Sequence, residues 1–319
     1  MDDRYATQLS DAQAGLGSEP ELDPSQTRYL IILSGGIPGT MIPLSPGMLW
    51  LGRSEENGIS LPEPSVSRRH AGLRIDETGV AWLIDQGSTN GTYRNGHRLP
   101  PYDAVRIHDG DRIRIGTRVV LKFTCPDFEE EQFQKAMFER TVRDSLTGLY
   151  NRSYFLDQIR PLASRAASRG LGLAVLMLDV DHFKSINDRL GHDGGDLVLQ
   201  EVARLIRQAT RSEDLVARYG GEEFAIALPA SSSEMATDRA ERIRSTISHA
   251  PMLVDDRSIR VTASLGVAYS PPILTRNLDC LITAADRSLY LAKNGGRNRV
   301  ACGLDALLDT PKSWAMADL

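Results

Sequence analysis

The sequence predicts two domains of different class: an N-terminal all-β sandwich, then a C-terminal α/β domain with a central, mostly antiparallel sheet covered by helices. Three observations carry this prediction. Between residues 28 and 125, short runs alternate apolar and polar side chains between Gly, Asn, Asp and Pro turns, with no helical period. From residue 146 onward, helical and strand patterns alternate. Between them lies a charged segment with apolar residues at helical spacing.

The 319 residues suffice for about two domains, each long enough to bury a core. A hydrophobic fraction of 41% and a charged fraction of 25% suit a soluble globular chain. The net charge of −5 provides no global attraction to nucleic acid or to an anionic membrane, so neither is expected as a partner. Cys125, Cys280 and Cys302 are few, odd in number and far apart, which gives neither a disulfide framework nor a zinc spacing. The longest apolar run, LGLAVLML at 171–178, is too short to span a bilayer. The acidic residues 1–27 lack a signal-peptide core and read as a disordered lead-in. A cytoplasmic location is expected.

In the first domain, 28–125, the strands are RYLIILS, MIPLSPGMLWLGR, AGLRID, VAWLIDQ, DRIRIG and VVLKFT. Asn95-Gly96 is a hairpin turn. Residues 126–144 form a linker helix, with Phe128, Phe133, Met137 and Phe138 at helical spacing and Glu129–Glu131 at the positive end of its dipole. It either pairs with its twin in a dimer or packs on one domain.

The second domain, 145–302, opens with a helix after LTGLYNR that Pro161 kinks or ends. LAVLMLDVD is a buried strand. One helical segment starts at Phe183, and a longer one runs from Gly195 to about Thr210. DLVARYGGEEFAIALP is a hairpin. SSEMATDRAERIRSTIS is a helix opened by Ser, SIRVTASLGVAYS a strand, LDCLITAADRSLYLAKNGG a helix ended by Gly, and RNRVAC a last strand. Residues 303–319 form an uninformative tail.

Asp179 ends an apolar strand, so a charge stands where seven buried residues stop. Glu222 and Glu223 belong to the tip of a neighbouring hairpin. Three converging carboxylates repel one another unless cations lie between them. Magnesium takes one or two carboxylates plus phosphate oxygens. Gly220 and Gly221 let a nucleotide lie against the backbone. From these residues alone, metal–phosphate chemistry and a plain polar turn both remain open.

DVDHFKSINDRLGHDGGD (179–196), RSEDLVARYGGEEF (211–224), SLTGLYNR (145–152), VTASLGVA (261–268) and ADRSLYLAKNGGRNRV (285–300) stand in register over about 140–302. Together they resemble the GGDEF family of diguanylate cyclases, whose fold resembles polymerase palm and nucleotide cyclase domains. The resemblance implies condensation of two GTP into cyclic di-GMP, with release of two pyrophosphates. It implies two magnesium ions per GTP site, with manganese as a substitute, held by Asp179, the Val180 carbonyl, Glu222 and Glu223. Glu222 is the implied proton acceptor and Lys184 faces the phosphates. Asn187 and Asp196 read the guanine edge, which presents the donor and acceptor pattern opposite to that of adenine. Phe183, through its backbone, Lys293 and Arg297 line the phosphate region beside Gly220 and Gly221. One domain holds one GTP, so activity implies a homodimer.

Asp181 reads as a buried support for the strand end. His182 and His192 have no third ligand at metal spacing, and Asn187 and Asp188 suit a helix cap as well as a base. Arg211 and Asp214 in RSED match the Arg-x-x-Asp product-binding inhibitory site of many family members. A surface salt bridge is the plainer reading of that string.

In the first domain, LGR (51–53), SVSRRH (65–70) and DQGSTNGTYRNG (85–96) occupy turns, and 28–125 holds 12 Lys/Arg against 9 Asp/Glu. The pattern resembles the forkhead-associated (FHA) domain. The resemblance implies phosphothreonine contacts from Arg53, Ser67, Arg68, Thr89 and Asn90, with His70 and Gly91 holding the loops. The partner is a phosphothreonine protein or the chain's own tail, where Thr7 and Thr27 lie. The leading expectation is a phosphothreonine-controlled, product-inhibited cyclase. A silent GTP or cyclic di-GMP sensor and a phosphopeptide scaffold are the alternatives.

Overall fold

The computed structural model describes residues 26–254, 257–272 and 278–303. The expected disordered lead-in, with Thr7, and the expected tail lie outside these residues, apart from Gln26, Thr27 and Gly303. The chain divides into two compact units between Lys135 and Ala136. Among the described residues no helix is long and apolar enough to cross a membrane.

The first unit contains β1 (Arg28–Ser34), β2 (Met41–Leu44), β3 (Gly47–Gly52), β4 (Ile59–Ser60), β5 (Ala71–Ile75), β6 (Ala81–Asp85), β7 (Thr92–Arg94), β8 (His97–Arg98), β9 (Ala104–Ile107), β10 (Arg112–Ile115) and β11 (Val119–Thr124). They form two sheets, ordered β2-β1-β11-β10-β7-β8 and β4-β3-β5-β6-β9. Strand alternation turns Leu30, Leu51, Leu73, Leu83, Ile113 and Leu121 inward, where each is fully buried in one core. The run 41–53, expected as one strand, is two strands in different sheets. Pro46 lacks an amide to donate, and Gly47 takes a φ of 125°, so the chain turns there. The short β4, β7, β8 and β9 carry too few residues for a period to be read. Asn95 and Gly96, at φ 49° and 87°, link β7 to β8, the left-handed pair that a two-residue hairpin demands.

Helix α1 (Phe128–Val142) follows. In the first unit, Tyr29 Oη donates to Glu131 Oε1 at 2.8 Å. In the second, Phe138 meets Tyr154 edge-on at 6.4 Å, and Asn151 donates to the Thr141 carbonyl at 2.7 Å. Phe128, Phe133 and Met137 remain exposed, at 75%, 65% and 46%.

The second unit continues with β12 (Tyr150–Asn151), α2 (Arg152–Ser168), β13 (Gly172–Val180), α3 (Phe183–Ala209), β14 (Leu215–Arg218), β15 (Glu223–Ala230), α4 (Ser233–His249), β16 (Met252–Val254), β17 (Arg257–Ile259), β18 (Ala263–Ser270), α5 (Leu278–Asn294) and β19 (Val300–Cys302). The central sheet is ordered β12-β14-β15-β13-β18-β19; its three inner pairings are antiparallel and its two outer ones parallel. All nine residues of β13 are buried. Its even-numbered side chains, Leu176 and Leu178 among them, join α3 and α4 in one core layer. Its odd-numbered ones, Val175 and Met177, join α2 and α5 in another. This alternation puts Asp179 on the α5 side of the sheet.

Three further expectations are corrected here. Pro161 neither ends nor breaks α2, because Phe155, Ile159, Leu162, Ala163 and Ala166 anchor both sides of it and offset one missing amide bond. The break in α3 falls at Gly191, whose φ of 74° and ψ of 172° are not helical, rather than at Gly195. The run 258–270 is two strands: β17 pairs with β16 in a separate ribbon, and only β18 enters the central sheet. The segment β16 was not anticipated at all.

Candidate active site

The site assembles at one end of β13. Asp179 stands in register with Glu223 on β15 and Ser264 on β18, and the Val180 amide donates to the Glu222 carbonyl at 3.2 Å. The strand end and the hairpin tip are therefore fixed to each other by backbone. Asp179 is 6% exposed, and Lys293 Nζ lies 2.7 Å from its Oδ2. Burial pushes the Asp179 carboxyl above its ordinary range, and the charge on Asp181 adds to this, against the opposing pull of Lys293 and Arg297. Burial likewise raises Glu222, followed by repulsion from Asp179 and Glu223, with Lys293 opposing. The two carboxylates thus sense each other across the strand end.

Asp181 is buried and hydrogen-bonded on both oxygens. It accepts from Thr262 Oγ1 at 2.7 Å, Ser264 Oγ at 2.6 Å and the Asn298 amide at 2.9 Å. Accepting three hydrogen bonds across both oxygens, it ties β13, β18 and the loop after α5 into one frame. Helix α5 reaches the carboxylates because it packs directly on β18. A Cβ at Gly266 would lie 2.0 Å from the Leu289 amide nitrogen, so only glycine admits the helix.

The hairpin between β14 and β15 is braced from below. Arg218 donates from Nε and Nη2 to the Gly221 carbonyl at 3.0 and 2.8 Å, and from Nη1 to Asp144 Oδ2 at 3.2 Å. Burial pushes Asp144 up, but hydrogen bonds from Thr147 and the charge of Arg218 more than offset it, and its carboxyl stays below the ordinary range. Sequence reading missed Arg218 and Asp144. The available signal was an arginine directly before a turn made of glycines and acids. Gly221 faces open space, whereas a Cβ at Gly220 would come within 2.7 Å of Glu223 Oε2.

At the start of α3, His182 takes a left-handed φ of 57° and starts the helix without a side-chain cap. The first-turn amides, at Phe183 and Lys184, therefore have no capping side chain. Lys184 and Asp196 are exposed. Asn187 Oδ1 is buried and has no hydrogen-bond partner. It rests against Gly195, where a Cβ would stand 1.8 Å from that oxygen.

Among the described residues, no group of three or more His, Cys, Asp and Glu side chains is placed to hold a metal ion by itself. The donor set nevertheless fits a hard divalent cation. Two mutually repelling carboxylates are the kind of oxygen ligand that magnesium supplements with substrate phosphate and water. His182 and His192 are exposed and join no such set.

Arg211 and Asp214 are not arranged as a pair of open ligands. Asp214 accepts from the Arg211 amide at 2.7 Å and forms an ion pair with Arg239; its side chain is 1% exposed and that of Arg239 11%. Arg211 projects outward, 62% exposed, 3.6 Å from Glu213. Beside this turn is a cleft of about 150 Å³ lined by Tyr150, Tyr154, Gln158, Arg165 and Glu213, smaller than the roughly 300 Å³ usual for small-ligand pockets.

In the first unit the expected phosphate-reading loops lie side by side. The Arg53 amide donates to the Ser67 carbonyl at 2.9 Å, the Thr89 amide to Ser67 Oγ at 3.3 Å, and Asn90 Nδ2 to the Ser65 carbonyl at 2.7 Å. Arg53 and Arg68 are exposed. His70 is 0% exposed; its Nδ1 accepts from the Ser67 amide at 3.0 Å and its Nε2 faces the Gly91 carbonyl at 3.1 Å. Those two partners require neutral imidazole with the proton on Nε2, and burial lowers the His70 pKa accordingly.

Comparison with known proteins matches two family models. The family model described as "Diguanylate cyclase, GGDEF domain" matches residues 141–299, and that for the FHA domain matches 49–116. Protein YhcK of Bacillus subtilis is 46% identical over 159 residues, covering 49% of this chain and 44% of the relative. Diguanylate cyclase A of Treponema denticola is 39% identical over 168 residues, covering 51% and 45%. The chain thus spans less than half the length of these curated relatives. The solved coiled coil and GGDEF domain of DgcB from Caulobacter crescentus, in complex with c-di-GMP, superimposes with a TM-score of 0.51 at 30% identity, covering 55% of this chain and 92% of that one. The chain belongs to the GGDEF family, and its N-terminal unit carries an FHA domain.

Proposed function

We propose that the protein is a diguanylate cyclase, condensing two GTP into cyclic di-GMP with release of two pyrophosphates. One observation carries this reading: the coupled carboxylates of Asp179 and Glu222 at the strand end, with Lys293 of α5 against Asp179. Acidic oxygens and a lysine at one point suit the binding of a metal-complexed triphosphate.

Asp179, the Val180 carbonyl, Glu222 and Glu223 would hold the divalent cations. When bound, these supply charge neutralisation at the phosphates. The uncapped amides of Phe183 and Lys184, with the Lys184, Lys293 and Arg297 side chains, bind the triphosphate. The orphan oxygen of Asn187 accepts from a guanine N–H, with Asp196 at the same base edge. Glu222, its affinity for a proton raised by burial and by Asp179, accepts the proton of the 3′-hydroxyl. The 3′-oxygen then bonds to the α-phosphorus of the facing GTP, and the bond from that phosphorus to the β-phosphate bridge breaks, releasing pyrophosphate. The same step in the opposite sense closes the ring. Two copies of the domain face each other, so the working unit is a homodimer.

The exposed Arg211 is the outward-facing element of a product site, with Asp214 shaping its turn. Cyclic di-GMP then inhibits noncompetitively. The loops bearing Arg53, Ser67, Arg68, Thr89 and Asn90 receive a phosphothreonine, which controls dimerisation or location.

The test is product formation from GTP and magnesium by the wild-type chain and by Glu222→Ala. Turnover by the wild type and its loss in the variant supports the reading. Tight GTP binding without turnover would instead identify a sensor.

A further inference from the structure

The loop after α5 has an improbable backbone. Gly296, Arg297 and Asn298 take φ values of 114°, 60° and 43°, three consecutive residues in a region that L side chains disfavour. Such a conformation persists only where its surroundings over-determine it. Here the surroundings are specific. The Arg297 amide donates to the Ala292 carbonyl at 3.1 Å, and the Asn298 amide to Asp181 Oδ2 at 2.9 Å. The Leu265 amide donates to the Arg299 carbonyl at 2.9 Å. From a different helix, Arg244 Nη1 donates to Asn298 Oδ1 at 2.6 Å.

Arg244 is itself oriented. Its Nε and Nη2 engage Glu241 Oε1 at 2.8 and 2.6 Å, one turn earlier on α4. Its side chain is 15% exposed, so it is packed rather than waving in solvent. That leaves Nη1 aimed at the loop. The loop carries Arg297 and immediately follows the helix turn that carries Lys293.

We propose that Arg244 is a positioning residue: by holding Asn298 it keeps the left-handed turn in the one conformation that presents Lys293 and Arg297 to the triphosphate. The claim rests on the cyclase reading for its kinetic consequence, but not for its structural one. Arg244 touches no reacting atom; it acts through Asn298. Asparagine suits the link because it tolerates a left-handed φ and offers an acceptor.

The experiment uses the full chain as wild type, Arg244→Ala, Arg244→Lys, Asn298→Gly and the double variant Arg244→Ala/Asn298→Gly. Arg244→Ala is expected to lower kcat by about tenfold to a hundredfold, the scale of a small misplacement of reacting groups, with affinity for a non-reacting GTP analogue changed less than kcat. Arg244→Lys restores part of the loss. Asn298→Gly keeps the left-handed backbone and the amide to Asp181 but removes the acceptor, so adding Arg244→Ala to it changes nothing further. Amide hydrogen exchange at 297–299 should rise in Arg244→Ala while β13 stays protected. Equal losses on adding Arg244→Ala in the two backgrounds, or wild-type exchange in that variant, overturn the proposal. A wild-type chain that makes no product sinks the cyclase reading instead, and exchange then decides the role of Arg244 alone.

Discussion

Lys293 and Asp179 form an ion pair at 2.7 Å between the last turn of α5 and the end of β13, with the Lys293 side chain 31% exposed and that of Asp179 9%. One buried carboxylate is thereby given a cation from the protein itself. Lys293→Met should destabilise the chain by about 2 kcal/mol, less than a fully buried pair because Lys293 is partly in water. Added magnesium should recover part of that loss, read as a shift in the denaturation midpoint. A midpoint equal to that of the wild type, with and without magnesium, refutes the counter-ion role.

Asp179→Asn should separate stability from activity. It removes one of two repelling carboxylates while leaving an oxygen for Lys293, so stability should rise by up to about 1 kcal/mol. Product formation should fall by a factor of about a thousand, since a charged ligand is lost at the reacting phosphates. An active variant would remove Asp179 from the site.

Gly195→Ala places a methyl group on Asn187 Oδ1. The base-reading oxygen must move, and GTP affinity should drop about tenfold, the loss of one well-placed hydrogen bond. The fold should persist, because Asn187 can rotate away. Unchanged discrimination between GTP and ATP, measured by direct binding, counts against the role of Asn187.

Arg211 and Asp214 should behave differently, although they share one short motif. Arg211 is exposed, so Arg211→Ala should stay within about 0.5 kcal/mol of wild type and release inhibition by cyclic di-GMP. Asp214→Ala strands Arg239, whose Nε already lacks a partner, and should cost about 3 kcal/mol. Chemical denaturation read beside inhibition curves separates the two. Product sensitivity that survives in Arg211→Ala ends the site assignment.

His70 sets a pH dependence in the first unit. Its folded pKa is depressed by burial, so neutral imidazole belongs to the folded state. Its contribution to stability is therefore present above the ordinary histidine value of about 6.5 and is lost as pH falls through the lower folded value. Ring NMR should find His70 titrating below the ordinary histidine value of about 6.5. An ordinary titration would contradict the two-partner geometry. Separately, Arg53→Ala should abolish retention on a phosphothreonine peptide while leaving this titration unchanged.

Much of the molecule is local information and was legible as such. Alternation over 28–125 marked the sandwich, the uninterrupted apolar stretch 172–178 marked the central strand, and Asn95-Gly96 marked its own turn. The acids Asp179, Glu222 and Glu223 were visible as acids at strand ends. Where local signals conflicted with packing, packing won: α2 runs through Pro161 because its apolar face is anchored on both sides.

Partner choice was not local. Period-2 alternation says that Asp179 and Leu178 face opposite ways, but not that α5 covers the Asp179 side and delivers Lys293. Nor does it say that Asp214 is taken by Arg239, or that Asp181 receives an amide from Asn298, 117 residues away in sequence. The strained turn at Arg297 and Asn298 leaves no mark in composition, since nothing in either residue type demands a left-handed backbone. The amino-acid order by itself determined which groups are available and at which strand and helix ends they emerge. Tertiary structure decided which of them neutralise one another, because that depends on sheet register and on which helix packs where, and both are set by the burial of the whole core at once.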